Sequence, residues 1–229
     1  MASMKHMQPL VICATGYPLH GDAMSGYLSG FYEVVSVGHS LWQDGLKGLH
    51  TLLTSGRPVA VIVDDTFPHE PGLVAQRIHA ALSRNGDQPS VGLIYVDAQP
   101  NIFRVLRCLD QGYHGYLFIG DDLSASLKSV VDRTRHGERC LSSTVRGLYE
   151  RYTMYQGLFS TLSDALMSTF KMMGEGLTVQ QMVARSGLRP SVIYRRQFRL
   201  RQHFGVASNE QLLELIQGMF DDQTVMSAP

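Results

Sequence analysis

Two folded units are predicted from this sequence: an α/β domain wound about a parallel sheet, and a smaller all-α domain containing a helix-turn-helix. Three observations carry that expectation. Over residues 8–140, short apolar runs alternate with stretches of helical periodicity, the pattern of a parallel sheet wrapped by helices. From residue 143 onward, apolar residues recur at helical spacing. Within that second part, Gly176–Gly205 (GLTVQQMVARSGLRPSVIYRRQFRLRQHFG) holds two short helical patterns meeting at a turn, with six arginines and no acid or lysine. At 229 residues the chain is long enough for two ordinary domains.

In order, Pro9–Ala14 (PLVICA) reads as a first buried strand, with Met24–Phe31 in a helix after it. Glu33–Val37 is a second strand, Gly45–Leu53 a helix, Pro58–Val63 (PVAVIV) a third strand and Leu73–Leu82 a helix. Val91–Val96 (VGLIYV) follows as a fourth strand, Ile102–Gln111 as a helix, Gly115–Ile119 as a fifth strand and Ser124–His136 as the last helix. Five strands and five helices fit a flavodoxin-like doubly wound domain over 8–141, in which function sits beyond the carboxyl ends of the strands.

Residues 142–161 are expected to be a helical linker, since Val145, Leu148, Tyr152 and Tyr155 or Met154 recur at helical spacing. Its aromatics Tyr149, Tyr152, Tyr155 and Phe159 suit packing against a neighbouring domain more than a free partner surface. The all-α domain is placed at 162–220, with 221–229 as a flexible tail. Leu162–Met173 is its supporting helix, with Leu166, Phe170 and Met173 facing inward. Thr178 caps a helix through Val179–Arg185, and Gly187 breaks it by supplying a backbone conformation that other residues reach at a cost. Pro190 suits a first helical turn, where its missing N–H would have had no partner. Beyond it, Ile193, Leu200 and Phe204 form one stripe, while Gln197 falls on the face that should be buried. Ser208 followed by Gln211 has capping-box spacing and starts a last helix through Phe220.

Net charge is zero overall, and the arginines at 185, 189, 195, 196, 199 and 201 concentrate inside the turn-linked helices. A basic patch in a neutral protein fits local phosphate contact rather than general polyanion adhesion. No apolar run reaches membrane-span length and no secretory leader is visible, which argues for the cytoplasm and against a membrane partner. Cys13, Cys108 and Cys140 lack metal spacing and read as reduced, buried thiols. No metal-ligand cluster, cofactor motif, P-loop or nucleophile–base pair is found, so neither a cofactor nor an enzyme is expected.

A short helix, a turn and a basic second helix place that second helix in the DNA major groove. The frame from Leu162 to Leu212 also resembles the LuxR/NarL-type DNA-binding domain. The matching residues are Glu175-Gly176-Leu177-Thr178, Gly187-Leu188, Val192-Ile193, Phe204-Gly205-Val206, and Asn209 with Leu212. The family's lysine-and-histidine pattern appears as Tyr194 and Arg196, and its usual acids near Leu166 and Ser168 are absent. The resemblance implies that Tyr194, Arg195, Phe198 and Arg199 face DNA. Arg195 or Arg199 would read guanine, and Tyr194 or Phe198 would touch a thymine methyl. Arg189, Ser191, Arg196 and Arg201 suit phosphate contacts that set register, while Arg185 is a candidate for an internal salt bridge. In the same family the last helix pairs two subunits. That implies a homodimer through Leu212, Leu213, Ile216, Met219 and Phe220, binding double-stranded DNA at an inverted repeat.

The first unit is similar to the receiver domain of NarL-subgroup response regulators. The residues carrying the likeness are Tyr17-Pro18-Leu19, Asp64 with Pro68 and Gly72-Leu73, Arg104–Leu109 with Gly112, Gly115-Tyr116-Leu117, and Gly137-Glu138-Arg139 with Leu141-Ser142. Asp64 falls on the family's phospho-acceptor position. The acidic pair that would hold magnesium aligns with Thr15 and Gly16, the switch hydroxyl with Asp97, and the lysine with Ile119. Hard oxygen ligands and charge neutralisation are thereby lost together, which implies a degenerate receiver that does not use the usual switch. Asp65 with Asp97 is a weaker alternative metal site. The resemblance thus implies an atypical response regulator acting on transcription. Its receiver-like domain would dock a regulatory protein, bind a small molecule in a cleft lined by Thr15, Gly16, Asp64, Asp97 and Ile119, or serve as a constitutive structural unit. Two rivals stay open: a conventional regulator phosphorylated at Asp64, and an interaction protein with a vestigial DNA-binding half.

Overall fold

The computed structural model describes residues 9–38, 51–53, 58–82 and 91–220. It divides into two compact units, Met1–Pro100 with Leu106–Val145, and Asn101–Val105 with Arg146–Pro229. The sequence-expected helix at 45–53 falls largely outside the described residues, although 51–53 are helical. The tail at 221–229 lies wholly outside them.

Strands β1 (Leu10–Ala14), β2 (Glu33–Val37), β3 (Pro58–Asp64), β4 (Gly92–Asp97), β5 (Gly115–Phe118) and β6 (Cys140–Leu141) form one sheet in the order β2-β1-β3-β4-β5-β6. Every neighbouring pair is parallel. Five strands were expected, and the sixth is a correction. It spans only two residues, pairing Cys140 with Gly115 and Leu141 with Tyr116, too few to leave a periodic signal.

The connecting helices are α1 (Pro18–Leu28), α2 (Pro71–Leu82), α3 (Ile102–Asp110) and α4 (Leu123–Thr134). Alternation along the strands splits the core into two layers. Val11, Cys13, Ala60, Ile62, Ile94, Val96 and Leu117 meet Met24 and Leu28 of α1 and Leu123, Leu127, Val130 and Val131 of α4. The alternate residues Leu10, Ile12, Val61, Val63, Leu93, Tyr95 and Tyr116 are equally buried, and Tyr95 lies against both Tyr113 and Tyr116. Each fully buried aliphatic side chain is worth roughly 1.5–3 kcal/mol relative to exposure, so this double layer supplies the bulk of the domain's stability.

Helix α1 begins six residues earlier than its apolar pattern indicated, with Pro18 in its first turn. Its outer face carries Leu19, which is 78% exposed, and Tyr27. Apolar residues on both faces blur the helical period, and the early start was hidden for that reason. Elsewhere the strand and helix ends shift by one or two residues from expectation.

The second unit holds most of α5 (Ser143–Phe159) together with α6 (Asp164–Gly174), α7 (Val179–Ser186), α8 (Pro190–Phe204) and α9 (Asn209–Gly218). Ser163 caps α6 and Thr178 caps α7; the latter makes a full capping box with Gln181. Gly187 sits at φ +67° with its N–H on the Val183 carbonyl, ending α7 where a β-carbon would be strained. At α9 the box is incomplete. Ser208 accepts from the Gln211 amide at 3.2 Å, but the Gln211 side chain reaches the Ala207 N–H at 2.8 Å rather than that of Ser208. Helix α8 packs on α6, α7 and α9; Ile193, Gln197 and Leu200 are buried, as are Phe170 and Met173 of α6, Met182 of α7, and Leu212 and Ile216 of α9.

Candidate functional site

Helix α8 separates its side chains by face. Ile193, Gln197 and Leu200, at spacings of four and three, point inward, and Ser191, Tyr194, Arg195, Phe198 and Arg199 point to solvent. Tyr194 is 58% exposed and Phe198 49%, a combination that a merely solvated helix has no use for. Arg189 at the N-cap is exposed as well, and no acid among the described residues pairs with Arg189, Arg195 or Arg199. Arg196 is half-buried. The outer face therefore presents uncancelled guanidinium groups interleaved with two aromatic rings, a surface suited to phosphate oxygens and base edges.

Two arginines are committed internally. Arg185 donates to Glu175 at 2.7 Å, the internal ion pair expected of it. Arg201, expected on phosphate, instead donates to Asn209 Oδ1 at 3.0 Å and lies over the Phe198 ring. Asn209 in turn donates to Gln197 Oε1 at 3.2 Å. This chain explains the buried glutamine: its carbonyl is satisfied by the first residue of α9, so the polar group crosses the helix contact hydrogen-bonded rather than orphaned.

The expected dimer surface is corrected. Leu212, Ile216 and Phe220 are buried within their own unit. Phe220 lies against Tyr152 and Tyr155 of α5, and Tyr152 also stacks on Phe159. The apolar excess of the last helix is consumed by the linker helix and the domain core. Of the expected set, Leu213 and Met219 are the half-buried members.

In the first unit, Asp64 ends β3 and is 2% exposed. One carboxylate oxygen accepts from the Thr66 hydroxyl at 2.7 Å. The other takes the Thr15 hydroxyl at 2.6 Å and His20 Nδ1 at 2.8 Å. Thr15 Oγ1 is also 2.9 Å from the Tyr17 carbonyl, but it owns one proton, and the charged, closer acceptor has the stronger claim. Three protein donors thus converge on a buried carboxylate and offset its desolvation. Cys13 lies beneath the same site; burial first, and the Asp64 charge second, push its thiol up to about 12.

Gly16 stands where the resemblance to receiver domains implies an acid. Its N–H donates to Thr66 Oγ1 at 2.9 Å, and a β-carbon there would run into the Thr66 carbonyl. The loop after β3 has closed over the place an acidic side chain would need. Asp97 is fully buried and turned away, accepting from the Tyr116 hydroxyl and from the Gln99 amide at 2.9 Å. Asp65 accepts from the Ala98 amide at 3.0 Å. The alternative Asp65–Asp97 metal site is not assembled, and no group of three metal-ligating side chains occurs among the described residues.

Of the five residues expected to line one cleft, two border the same cavity. Asp64 and Ile119 border a cavity with His20, Ala23, Met24, Tyr27, Val96 and the 121–124 segment. Thr15, Gly16 and Asp97 do not border it, being taken up by the contacts just described. His20 was not anticipated. It lies six residues past the end of β1, in the first turn of α1, and no motif marks an imidazole meeting an aspartate forty-four positions away. Thr66 was legible in principle, because a threonine two residues beyond an aspartate is within local side-chain reach.

No protein-family model matches this sequence, and no curated protein does. Solved structures do resemble it. RcsB from Salmonella enterica serovar Typhimurium, bound to promoter P1flhDC in the presence of phosphomimetic BeF3-, aligns with a TM-score of 0.58 at 16% identity, covering 91% of this chain and 98% of that one. Another Salmonella typhimurium RcsB structure aligns at 0.56 and 16%, covering 93% and 99%. A DNA complex of the two-component response regulator RcsB aligns at 0.53 and 16%, covering 96% and 100%. The chain has the two-domain fold of these response regulators. At such identities the likeness speaks to fold alone: a receiver-like α/β domain followed by a helical domain. No helix among the described residues is long and apolar enough to cross a membrane.

Proposed function

We propose that this chain is a sequence-specific DNA-binding transcription regulator, acting as a homodimer on an inverted repeat, whose receiver-like domain works without phosphorylation of Asp64. The observation that carries the first part is the outer face of α8. Tyr194, Arg195, Phe198 and Arg199 stand exposed together on the second helix of a helix-turn-helix, with no acid among the described residues pairing with Arg195 or Arg199. Arg195 and Arg199 supply fork donors for guanine, Tyr194 and Phe198 apolar contact for thymine, and Arg189, Ser191 and Arg196 the flanking phosphate contacts. Similarity to RcsB, solved on DNA, supports the same docking. For pairing, Leu213 and Leu215 of α9 and Met219 at its C-cap keep accessible apolar surface.

The second part rests on the Asp64 environment. Its oxygens are occupied by Thr15, Thr66 and His20, and Gly16 leaves no room for a magnesium-holding carboxylate. Phosphoryl transfer depends on positioning and cation support, and the residues here provide neither. Asp64 then acts as a structural carboxylate.

The test is selection of genomic fragments by the purified full chain at moderate salt, without a phosphodonor. A shared inverted repeat, lost in the Arg195→Ala/Arg199→Ala double variant, is the expected result. Enrichment of no fragment would refute the DNA-binding part. Incorporation of label from acetyl phosphate, abolished by Asp64→Asn, would refute the phosphorylation-independent part.

A further inference from the structure

A cavity of about 280 Å³ opens at the carboxyl end of the sheet, between α1 and the start of α4. Its walls are apolar, formed by Ala23, Met24, Tyr27, Val96, Ile119 and Leu123. Tyr27 and Ile119 are 45% and 41% exposed, so apolar surface extends out to solvent. The volume lies near the lower end of the range in which proteins hold small organic ligands, roughly 300–1,000 Å³.

Carboxylates predominate among the polar groups bordering it. Asp64, Asp121 and Asp122 contribute carboxylates, and among the described residues no lysine or arginine borders the cavity. His20 commits Nδ1 to Asp64. The Ser124 hydroxyl is spent on Asp122 at 2.7 Å, and the Tyr27 phenol is a neutral donor at the exposed rim. Asp121 and Asp122 hold their charge. Burial raises the Asp121 carboxyl, but the hydroxyls of Ser142, Thr144 and Ser143 and the Thr144 amide outweigh it and leave it below the usual carboxylate value. The Ser124 hydroxyl and then the Ala125 amide hold Asp122 below that value too. An anion would meet like charge here, with no lysine or arginine among the described lining residues to offset it. A hydrogen-bond donor carrying positive charge on an apolar body would meet acceptors and apolar walls together.

We infer that this cavity is a binding site for a small organic ammonium compound, its apolar body between α1 and Ile119 and its ammonium group toward Asp121 and Asp122. The inference stands apart from the DNA-binding reading, because binding is measured on the purified chain without DNA.

The probe is 2-phenylethylammonium, compared with 2-phenylethanol and phenylacetate as neutral and anionic counterparts. Calorimetry and backbone-amide NMR follow binding at fixed ionic strength. The ammonium compound is expected to bind at least tenfold more tightly than either counterpart, with saturable shifts at residues 119–124 and at His20. Asp122→Asn removes one charge yet keeps a good N-cap residue for α4, and should weaken binding several-fold. Ala23→Trp, at an exposed position, should abolish it by filling the space. Wild-type shifts alone can decide the matter should a variant unfold. Equal affinity for the three probes, preference for phenylacetate, shifts confined to other regions, or no saturable shift at millimolar probe would each overturn the assignment.

Discussion

His20 Nδ1 lies 2.8 Å from the carboxylate of Asp64, on the oxygen that also accepts the Thr15 hydroxyl. This pairing defines the chemistry at the end of β3. A carboxylate that must bind a cation presents open lone pairs to it; Asp64 presents them to an imidazole and two hydroxyls of its own chain. The site is therefore an internally closed hydrogen-bond cluster, and its role is to tie the turn after β1 to the loop after β3.

Replacing Asp64 by Ala should be costly for that reason. Two hydroxyls and a ring nitrogen lose their acceptor in a buried setting, each such loss being worth about 1–3 kcal/mol where no water substitutes. A fall in urea midpoint without a change in slope is the expected result. An unchanged midpoint would show that Asp64 is not a structural carboxylate.

Restoring an acid at position 16 should not rebuild a magnesium site. The Gly16→Asp variant drives a side chain into the Thr66 carbonyl, and overpacking of this kind costs about 1–3 kcal/mol. Thermal unfolding should show reduced stability that added magnesium does not recover. Stabilisation by millimolar magnesium would contradict the closed-loop geometry.

On α8 the exposed arginines should separate by role. Arg195→Ala is expected to relax base preference at one position of the site, a loss of about 1–3 kcal/mol for the preferred base. Arg189→Ala should weaken all sequences alike and lower the salt-dependence slope by about 1. Competition binding across a panel of single-base variants at several salt concentrations distinguishes the two. Identical profiles for both variants would mean that Arg195 also meets only phosphate.

The Gln197–Asn209 contact yields a double-mutant test. Asn209→Ala leaves the buried Gln197 carbonyl unpaired, at a cost of about 1–3 kcal/mol. Gln197→Leu removes the polar group, so adding Asn209→Ala to it should cost much less than in the wild-type background. Denaturant midpoints of the four proteins give the coupling directly. Simple additivity would show that the hydrogen bond contributes nothing.

Much of the fold was legible because its signals are local and repeated. The runs PVAVIV and VGLIYV are buried on both faces, as central strands of a parallel sheet must be, and they lie where β3 and β4 are found. Thr178, Gly187 and Pro190 each impose a backbone requirement on their own neighbourhood, and α7 and α8 begin and end accordingly. The inward stripe of Ile193 and Leu200 follows from helical period alone. Helix α1 is the exception: with Leu19 and Tyr27 on its outer face, its period was masked.

The sites were legible in part. Position along the chain singled out Asp64 and the arginines of α8, since each belongs to a strand end or a helix face that the pattern defines. Sequence by itself determined the two-unit organisation, the parallel sheet and the outward side of α8, because helix and strand periods are set by neighbours a few residues apart. Tertiary structure alone decided that His20 and Thr66 close Asp64, that Asp97 turns to Tyr116, that Asn209 satisfies Gln197 while restraining Arg201, and that Phe220 is covered by Tyr152 and Tyr155. Most of those contacts join residues ten to seventy positions apart. Which donor meets which acceptor across such a distance depends on packing and on the need to satisfy every buried polar group, and neither leaves a mark in local sequence.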